Sequence, residues 1–264
     1  QYRTARENLN YLIDEDTFLE FGQFAVAAQR SRRDYEELQD KTNADGIITG
    51  FCSINSALVG EDDAKAVAIV YDYSVLAGTQ GFFHHAKLDR ICEQAKKFYL
   101  PVIIFTEGGG GRPGDTDVLT QIAGLHIPSF SSWAQLTGTC LKIAVNNGYC
   151  FAGNAVLFGC ADFKIATKDS WIGMAGPAMI EGGGLGTFKP KEIGPIEVQQ
   201  KNGVVDYVAE NEEEATIIAK QLLAYFQGPI EEFTFSDQGQ LQEMMPDDRR
   251  YTYEVRDIIG TIAD

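Results

Sequence analysis

The segment that most constrains this chain is Pro101–Phe105, followed by Thr106-Glu107 and four consecutive glycines, Gly108–Gly111. Val102–Phe105 is a continuous apolar run, the pattern of a strand buried on both faces rather than one face. It predicts a strand covered on both faces, within a series that alternates strands and helices. Glycine has no Cβ, adopts positive φ without strain, and lets another group approach bare backbone N–H donors. Placed straight after a buried strand, such donors can form an oxyanion hole or cradle a phosphate. Four glycines also cost chain entropy on folding, which argues against an idle turn. The segment is not a Walker loop, because no Gly-Lys-Ser/Thr follows. It is not a dinucleotide fingerprint either, because Arg112-Pro113 stands where the helix should open.

The rest of the pattern alternates. Thr4 is a helix cap with Glu7 three residues on as a capping-box partner, and Ala5, Leu9, Leu12 and Ile13 share one face. Two β-type runs, Phe24–Ala28 and Gly46–Ile54, are separated by a basic stretch (Arg30, Arg32, Arg33) and by a loop expected over Gln39–Asp45. Ala66–Tyr71 predicts a strand. His84–Phe98 predicts a helix with Leu88, Ile91, Cys92 and Ala95 on one stripe. A helix near Phe130–Leu136, strands at Leu141–Val145 and Phe163–Ala166, and a helix from Gly153 follow. Glu212–Phe226 reads as an amphipathic helix with Ile218, Leu222, Tyr225 and Phe226 aligned. A glycine-rich stretch lies at Gly173–Gly186. A polar segment from Phe235 to Arg250 has little to bury and predicts a linker.

Composition narrows the function classes. The 264 residues, 44% of them hydrophobic, can bury a sizeable core. No run approaches the roughly 20 apolar residues of a membrane helix, so no span is expected. The opening residues carry no secretory pattern, which points to a cytoplasmic or organelle-matrix setting. A net charge of −16 opposes a nucleic-acid backbone or anionic lipid as partner. Five cysteines without CxxC spacing predict buried, reduced thiols and no zinc site, and three histidines are too few for a metal centre.

A second glycine segment runs Lys142-Ile-Ala-Val-Asn-Asn147-Gly148-Tyr149-Cys150-Phe151-Ala152-Gly153-Asn154. Here a strand feeds a turn, and small residues open a helix. Helix-start N–H groups lack intrahelical partners and sit at the positive end of the helix dipole. They are suited to a developing enolate oxygen.

Together, the two segments resemble the crotonase superfamily, with Asn147–Gly153 matching its helix-start motif except that Ala152 replaces a glycine. Further stretches narrow the likeness. Thr4–Glu7 with Leu12–Asp14, Ala44–Gly50, Asp72–Gly81 with His84 and Lys87, Gly108–Arg112, Met174–Pro177 and Gly203–Ala209 follow one another as in the carboxyltransferase component of biotin-dependent acyl-CoA carboxylases. The resemblance covers nearly the whole chain.

It implies an α/β, crotonase-like spiral of repeated ββα units with surrounding helices. It implies transfer of a carboxyl group from carboxybiotin to the α-carbon of an acyl-CoA, through an enolate held by backbone N–H groups. Ala152 and Gly153 are the expected donors, with Gly109, Gly110 and Gly111 shaping the other side. Ala175, Gly176 and Pro177 are expected to line the acyl-CoA pocket, and Arg30, Arg32 and Arg33 are candidates for the coenzyme A phosphates.

Biotin is expected on a separate carrier, not bound covalently here. The partners implied are the biotin carboxyl carrier, the biotin carboxylase component and a C-terminal carboxyltransferase domain, in a homo-oligomer. Residues 1–234 are expected to form the N-terminal carboxyltransferase domain. Residues 235–264 are expected to be a linker plus the first helix of a second, homologous domain, since Val255–Asp264 echoes Ala5–Asp14. A stand-alone crotonase-type hydratase or thioesterase remains an alternative, although Phe151 and the helix after it offer no catalytic carboxylate. A non-catalytic scaffold subunit is a second alternative.

Overall fold

The computed structural model describes residues 2–118, 127–229 and 233–263. The chain forms two compact units, residues 1–228 and 229–264.

The first unit is organised by a seven-stranded sheet. Its strands are β1 (Leu19–Phe21), β2 (Ile47–Ser53), β3 (Lys65–Tyr71), β4 (Val102–Phe105), β5 (Lys142–Asn146), β7 (Phe163–Thr167) and β9 (Tyr207–Ala209), in the order β1-β2-β3-β4-β5-β7-β9. β1, β2 and β3 pair antiparallel, and from β3 onward every pairing is parallel. A smaller sheet pairs β6 (Tyr149–Phe151) with β8 (Trp171–Gly173) in parallel.

Alternate residues of the central strands enter different cores. Val67, Ile69, Val102 and Ile104 join Leu88, Ile91, Cys92 and Ala95 of the Phe82–Phe98 helix on one face. Ala66, Ala68, Ile103 and Phe105 join Leu9, Leu12, Ala215, Ala219 and Leu223 on the other. The two-sided burial explains why these strands read as unbroken apolar runs.

A repeating unit is visible. A main-sheet strand is followed by a short second segment and then a helix. β5 is followed by β6 and the Gly153–Gly159 helix, and β7 by β8 and the Pro177–Gly182 helix. After β3 the second segment is a single bridge residue, Gln80, before the Phe82–Phe98 helix. After β4 it is the glycine run, in which Gly108 bridges Cys150 and Gly111 bridges Gln80, both in parallel. The four glycines therefore stand where neighbouring units carry a second strand.

The predicted N-terminal capping box is present: Thr4 Oγ1 accepts the Glu7 N–H, and Glu7 Oε2 accepts the Thr4 N–H at 2.6 Å. Three expectations fail. Phe24–Ala28 is not a strand, because Val26, Ala27 and Leu38 form a small satellite core while Phe24 is exposed. Gln39–Asp45 is not all loop, because a helix runs Tyr35–Lys41, with Glu36 and Glu37 in its first turn and Glu37 paired to Lys41 in its last. The Glu212–Ala224 helix buries Ala215, Ala219, Leu222 and Leu223, while Tyr225 and Phe226 face solvent. No helix among the described residues is long and apolar enough to cross a membrane.

The second unit holds short helices at Leu241–Met244 and Val255–Ile262. Gln238 Nε2 donates to the Thr261 carbonyl at 2.7 Å. Val255, Ile259 and Ile262 are exposed.

Candidate active site

The glycine run and the start of the Gly153–Gly159 helix are held together by one side chain. Asn154 is fully buried, and its Oδ1 accepts the Gly110 N–H at 3.0 Å. Its Nδ2 donates to the Thr106 carbonyl at 3.1 Å. Contact is close at Gly108 and Gly110. A Cβ at Gly108 would lie 2.2 Å from both Asn154 Nδ2 and the Gly78 carbonyl, and one at Gly110 would lie 2.7 Å from Ala152 Cβ. Gly110 itself has φ +90°. Steric exclusion and backbone conformation thus both call for glycine.

The N–H inventory decides which expected donors are available. Gly109 donates to the Ala77 carbonyl, and Gly110 to Asn154. Ala152, expected as a donor, is spent: its N–H bonds the Gly173 carbonyl at 3.0 Å, across the pairing of β6 with β8. Ala152 instead sets the turn, at φ +51°, a conformation costly for a residue with a Cβ. Among the described residues, the N–H groups of Gly111 and Gly153 have no acceptor. Gly111 is flanked by the pairing of Gln80 N–H with the Gly110 carbonyl and of Arg112 N–H with the Gln80 carbonyl. A Cβ there would meet nothing within 4 Å.

Gly111 opens on a cavity of about 450 Å³, whose lining includes Gln80, Phe82, His85, Arg112 and Asp115. The charged groups around it are already engaged. Arg112 is buried, ion-paired to buried Asp45, and donates to the Thr79 carbonyl at 2.7 Å. Asp115 accepts from Phe82 N–H at 2.8 Å and Gln29 Nε2 at 3.0 Å. His85 Nδ1 lies 2.9 Å from Ser129 Oγ, and burial, with Arg112 nearby, pushes its pKa down to about 4. It is neutral at pH 7 and a weak base. Burial likewise holds His84 well below its ordinary range and brings the Lys87 ammonium down to about 8, where its Nζ donates to the Ala44 and Ile47 carbonyls.

Glu107 was missed by reading the sequence. Burial, reinforced by Glu212 and Asp72, pushes its carboxyl up to about 7. A Cβ at Gly148 would sit 2.2 Å from its Oε1, so the carboxyl packs against the second glycine segment. It does not line the cavity.

The other expected site residues divide. Gly176 packs toward the Phe151 ring, and Pro177 opens the Pro177–Gly182 helix. Ala175, Gly176 and Pro177 therefore lie beside β6, on the Ala152 side, and do not line the cavity. Arg33 is paired with Glu37 at 2.6 Å. Arg30 stacks on Tyr35, 4.6 Å from its centroid. Arg32 reaches the loop that lines the cavity, where a Cβ at Gly114 would lie 2.5 Å from Arg32 Nη2. No group of three or more His, Cys, Asp or Glu residues suited to a metal occurs among the described residues.

Comparison with known proteins gives a consistent result. A family profile described as "Carboxyl transferase domain" matches residues 2–264. The methylmalonyl-CoA carboxyltransferase 12S subunit of Propionibacterium freudenreichii subsp. shermanii is 30% identical, over 99% of this chain and 49% of its own length. A propionyl-CoA carboxylase beta chain of Cereibacter sphaeroides is 25% identical over 99% of this chain and 51% of its own. Among solved structures, a single-chain, multi-domain long-chain acyl-CoA carboxylase superposes with a TM-score of 0.92 at 49% identity, covering 98% of this chain and 26% of that one. The transcarboxylase 12S hexamer superposes with a TM-score of 0.77 at 29% identity, over 99% of this chain and 51% of that one. The chain spans about half the length of the curated relatives it matches. The architecture is that of the crotonase-fold carboxyltransferases.

Proposed function

The chain belongs to the carboxyl transferase domain family, and on that premise we propose that it is the acyl-CoA-binding half of a biotin-dependent carboxyltransferase. The observation that carries the reading is a pair of N–H donors without an acceptor among the described residues: Gly111, which lines a cavity whose charged side chains are engaged, and Gly153, which packs against the cavity-lining Gln80. The thioester oxygen gains negative charge when the α-carbon loses its proton. Gly153, at the positive end of its helix, and Gly111 hold that oxygen. The donors are fixed by Asn154 and by the Gln80 bridge, so little reorganisation is needed as charge develops.

The described residues that line the cavity offer no strong side-chain base: His85 is held neutral, and Asp115 is tied by hydrogen bonds from Gln29, Phe82 and Arg112. That fits a reaction in which the proton acceptor arrives with the co-substrate. Biotin on its carrier, when bound, supplies the carboxyl group and a ureido nitrogen able to take the α-proton. In this reading Arg32, beside Gly114, and Arg30, stacked on Tyr35, meet coenzyme A phosphates, and Arg33 is less suited because it pairs with Glu37. Ala175–Pro177 border the acyl chain. The exposed apolar residues Val255, Ile259 and Ile262 support reading that helix as the start of a second carboxyltransferase domain. Carrier, carboxylase component and homo-oligomer belong to this proposal.

The test is binding and turnover of the chain as given. It should bind acyl-CoA in calorimetry and carry out almost no biotin-dependent decarboxylation of malonyl-CoA by itself. Replacing Gly153 with Val should abolish activity of the enzyme assembled with its second half. Undetectable acyl-CoA binding defeats the reading, and efficient turnover by the chain alone defeats the word half. Hydration of an enoyl-CoA would restore the stand-alone alternative.

A further inference from the structure

Gln80 is 3% exposed, and both of its backbone hydrogen bonds go to the glycine run. Its side-chain Nε2 donates to Tyr71 Oη at 2.9 Å, in the buried core. Its Oε1 is buried and has no partner among the described residues. That oxygen lies against the helix start: a Cβ at Gly153 would fall 2.1 Å from it. The same residue lines the 450 Å³ cavity beside Gly111. A buried acceptor without a donor is destabilising, because the oxygen has lost water and gained nothing in exchange. Here the acceptor is held, by a fixed Nε2 bond and a two-sided backbone bridge, against Gly153 and beside Gly111, whose N–H groups have no acceptor among the described residues.

We propose that Gln80 is a positioning residue whose Oε1 accepts a hydrogen bond from an N–H group of the bound ligand. This rests on the carboxyltransferase reading and adds an acceptor to a site so far built from donors. Gly111 and Gly153 recognise an oxygen, and Gln80 recognises a nitrogen beside it. Two ligand groups carry that chemistry: the ureido ring of biotin and the amide of the pantetheine arm. An apolar side chain at position 80 would leave the backbone bridge intact and remove the acceptor together with the Nε2 donor to Tyr71, whereas a glutamate removes the donor alone. Gly153 must remain glycine for the same reason, because the Gln80 oxygen occupies the space of its Cβ.

The experiment uses the full-length enzyme and measures decarboxylation of malonyl-CoA, methylmalonyl-CoA and a long-chain α-carboxyacyl-CoA with free biotin as acceptor. Gln80→Met should raise one KM about tenfold, the loss expected for one hydrogen bond, while kcat changes less than about threefold. A rise for biotin identifies the ureido N–H, and a rise for the CoA ester identifies the pantetheine amide. Gln80→Glu keeps an acceptor oxygen and should hold both KM values near wild type, which also serves if Gln80→Met does not fold. Unchanged KM values in Gln80→Met, or equal rises in both variants, overturn the proposal. Wild-type enzyme that shows no biotin-dependent turnover with any of the three esters instead defeats the carboxyltransferase reading.

Discussion

Two stretches of this chain are equally rich in glycine, and they use it in opposite ways. In Gly108–Gly111, three of the four positions are in tight contact, with Cβ clearances of 2.2 Å at Gly108, 3.2 Å at Gly109 and 2.7 Å at Gly110. In Gly182–Gly186, a Cβ at Gly182 or Gly184 would meet nothing within 4 Å. Met179 and Leu185, around the second stretch, are exposed, whereas Thr106 and Asn154, around the first, are fully buried. Glycine in the first run is demanded by neighbours. In the second, Gly182 and Gly184 are open, Gly183 and Gly186 meet a carbonyl and the Phe188 ring at 3.3 and 3.1 Å, and Gly184 and Gly186 are set by positive φ, +70° and +109°. Runs that look alike by composition therefore differ in what a methyl group would do.

The largest expected difference is at Gly108. Gly108→Ala drives a Cβ into the Gly78 carbonyl and the Asn154 amide, neither of which can move without breaking the clamp. We expect a loss of about 3 kcal/mol or more. Urea denaturation checks this, and a stable Gly108→Ala protein would dissolve the contrast.

Glu107, which leads into the tight run, gives the second test. Its folded pKa of about 7 lies above its ordinary 4.5, so the folded state binds the proton more strongly than the unfolded state. Stability from this group is present below pH 4.5 and is lost as pH rises through about 7. Glu107→Gln should flatten that decline and gain up to about 3 kcal/mol at pH 8, from the pKa difference. Melting curves at pH 5 and pH 8 measure it, and parallel pH profiles would remove Glu107 from the account.

The smallest effect belongs to the open stretch. Gly182→Ala should stabilise by no more than about 1 kcal/mol, through the unfolded chain and helix propensity. A loss as large as that at Gly108 would show that the open stretch is packed after all.

Much of the fold was legible because its signals are local. Val102–Phe105 enters two cores, so it had to be apolar throughout. Thr4 and Glu7 complete each other within one turn. What escaped depends on distant pairing. Tyr149–Phe151 became a strand because β8, some twenty residues later, lies beside it. The same pairing takes the Ala152 N–H, which no reading of Asn147–Gly153 could foresee. Glycine marked where the site is. Asn154 and Gln80, which hold the glycine run to the helix start, and Glu107, which packs behind them on Gly148, carry no spacing pattern of their own, and their roles follow from burial. The cysteines divide similarly: four are buried as expected, but Cys160 is exposed at the end of its helix.

That exposure has a practical consequence. Burial pushes the Cys52, Cys92 and Cys150 thiols up to about 12 and also raises Cys140, so native protein offers thiol reagents one accessible address. Cys160 closes the helix that Gly153 opens, roughly 10 Å away along its axis at 1.5 Å per residue. A maleimide dye placed there would carry a single fluorophore at the far end of the helix whose N-terminus is proposed to hold the thioester oxygen. Occupancy of the site could then be followed optically, without introducing a cysteine or removing one.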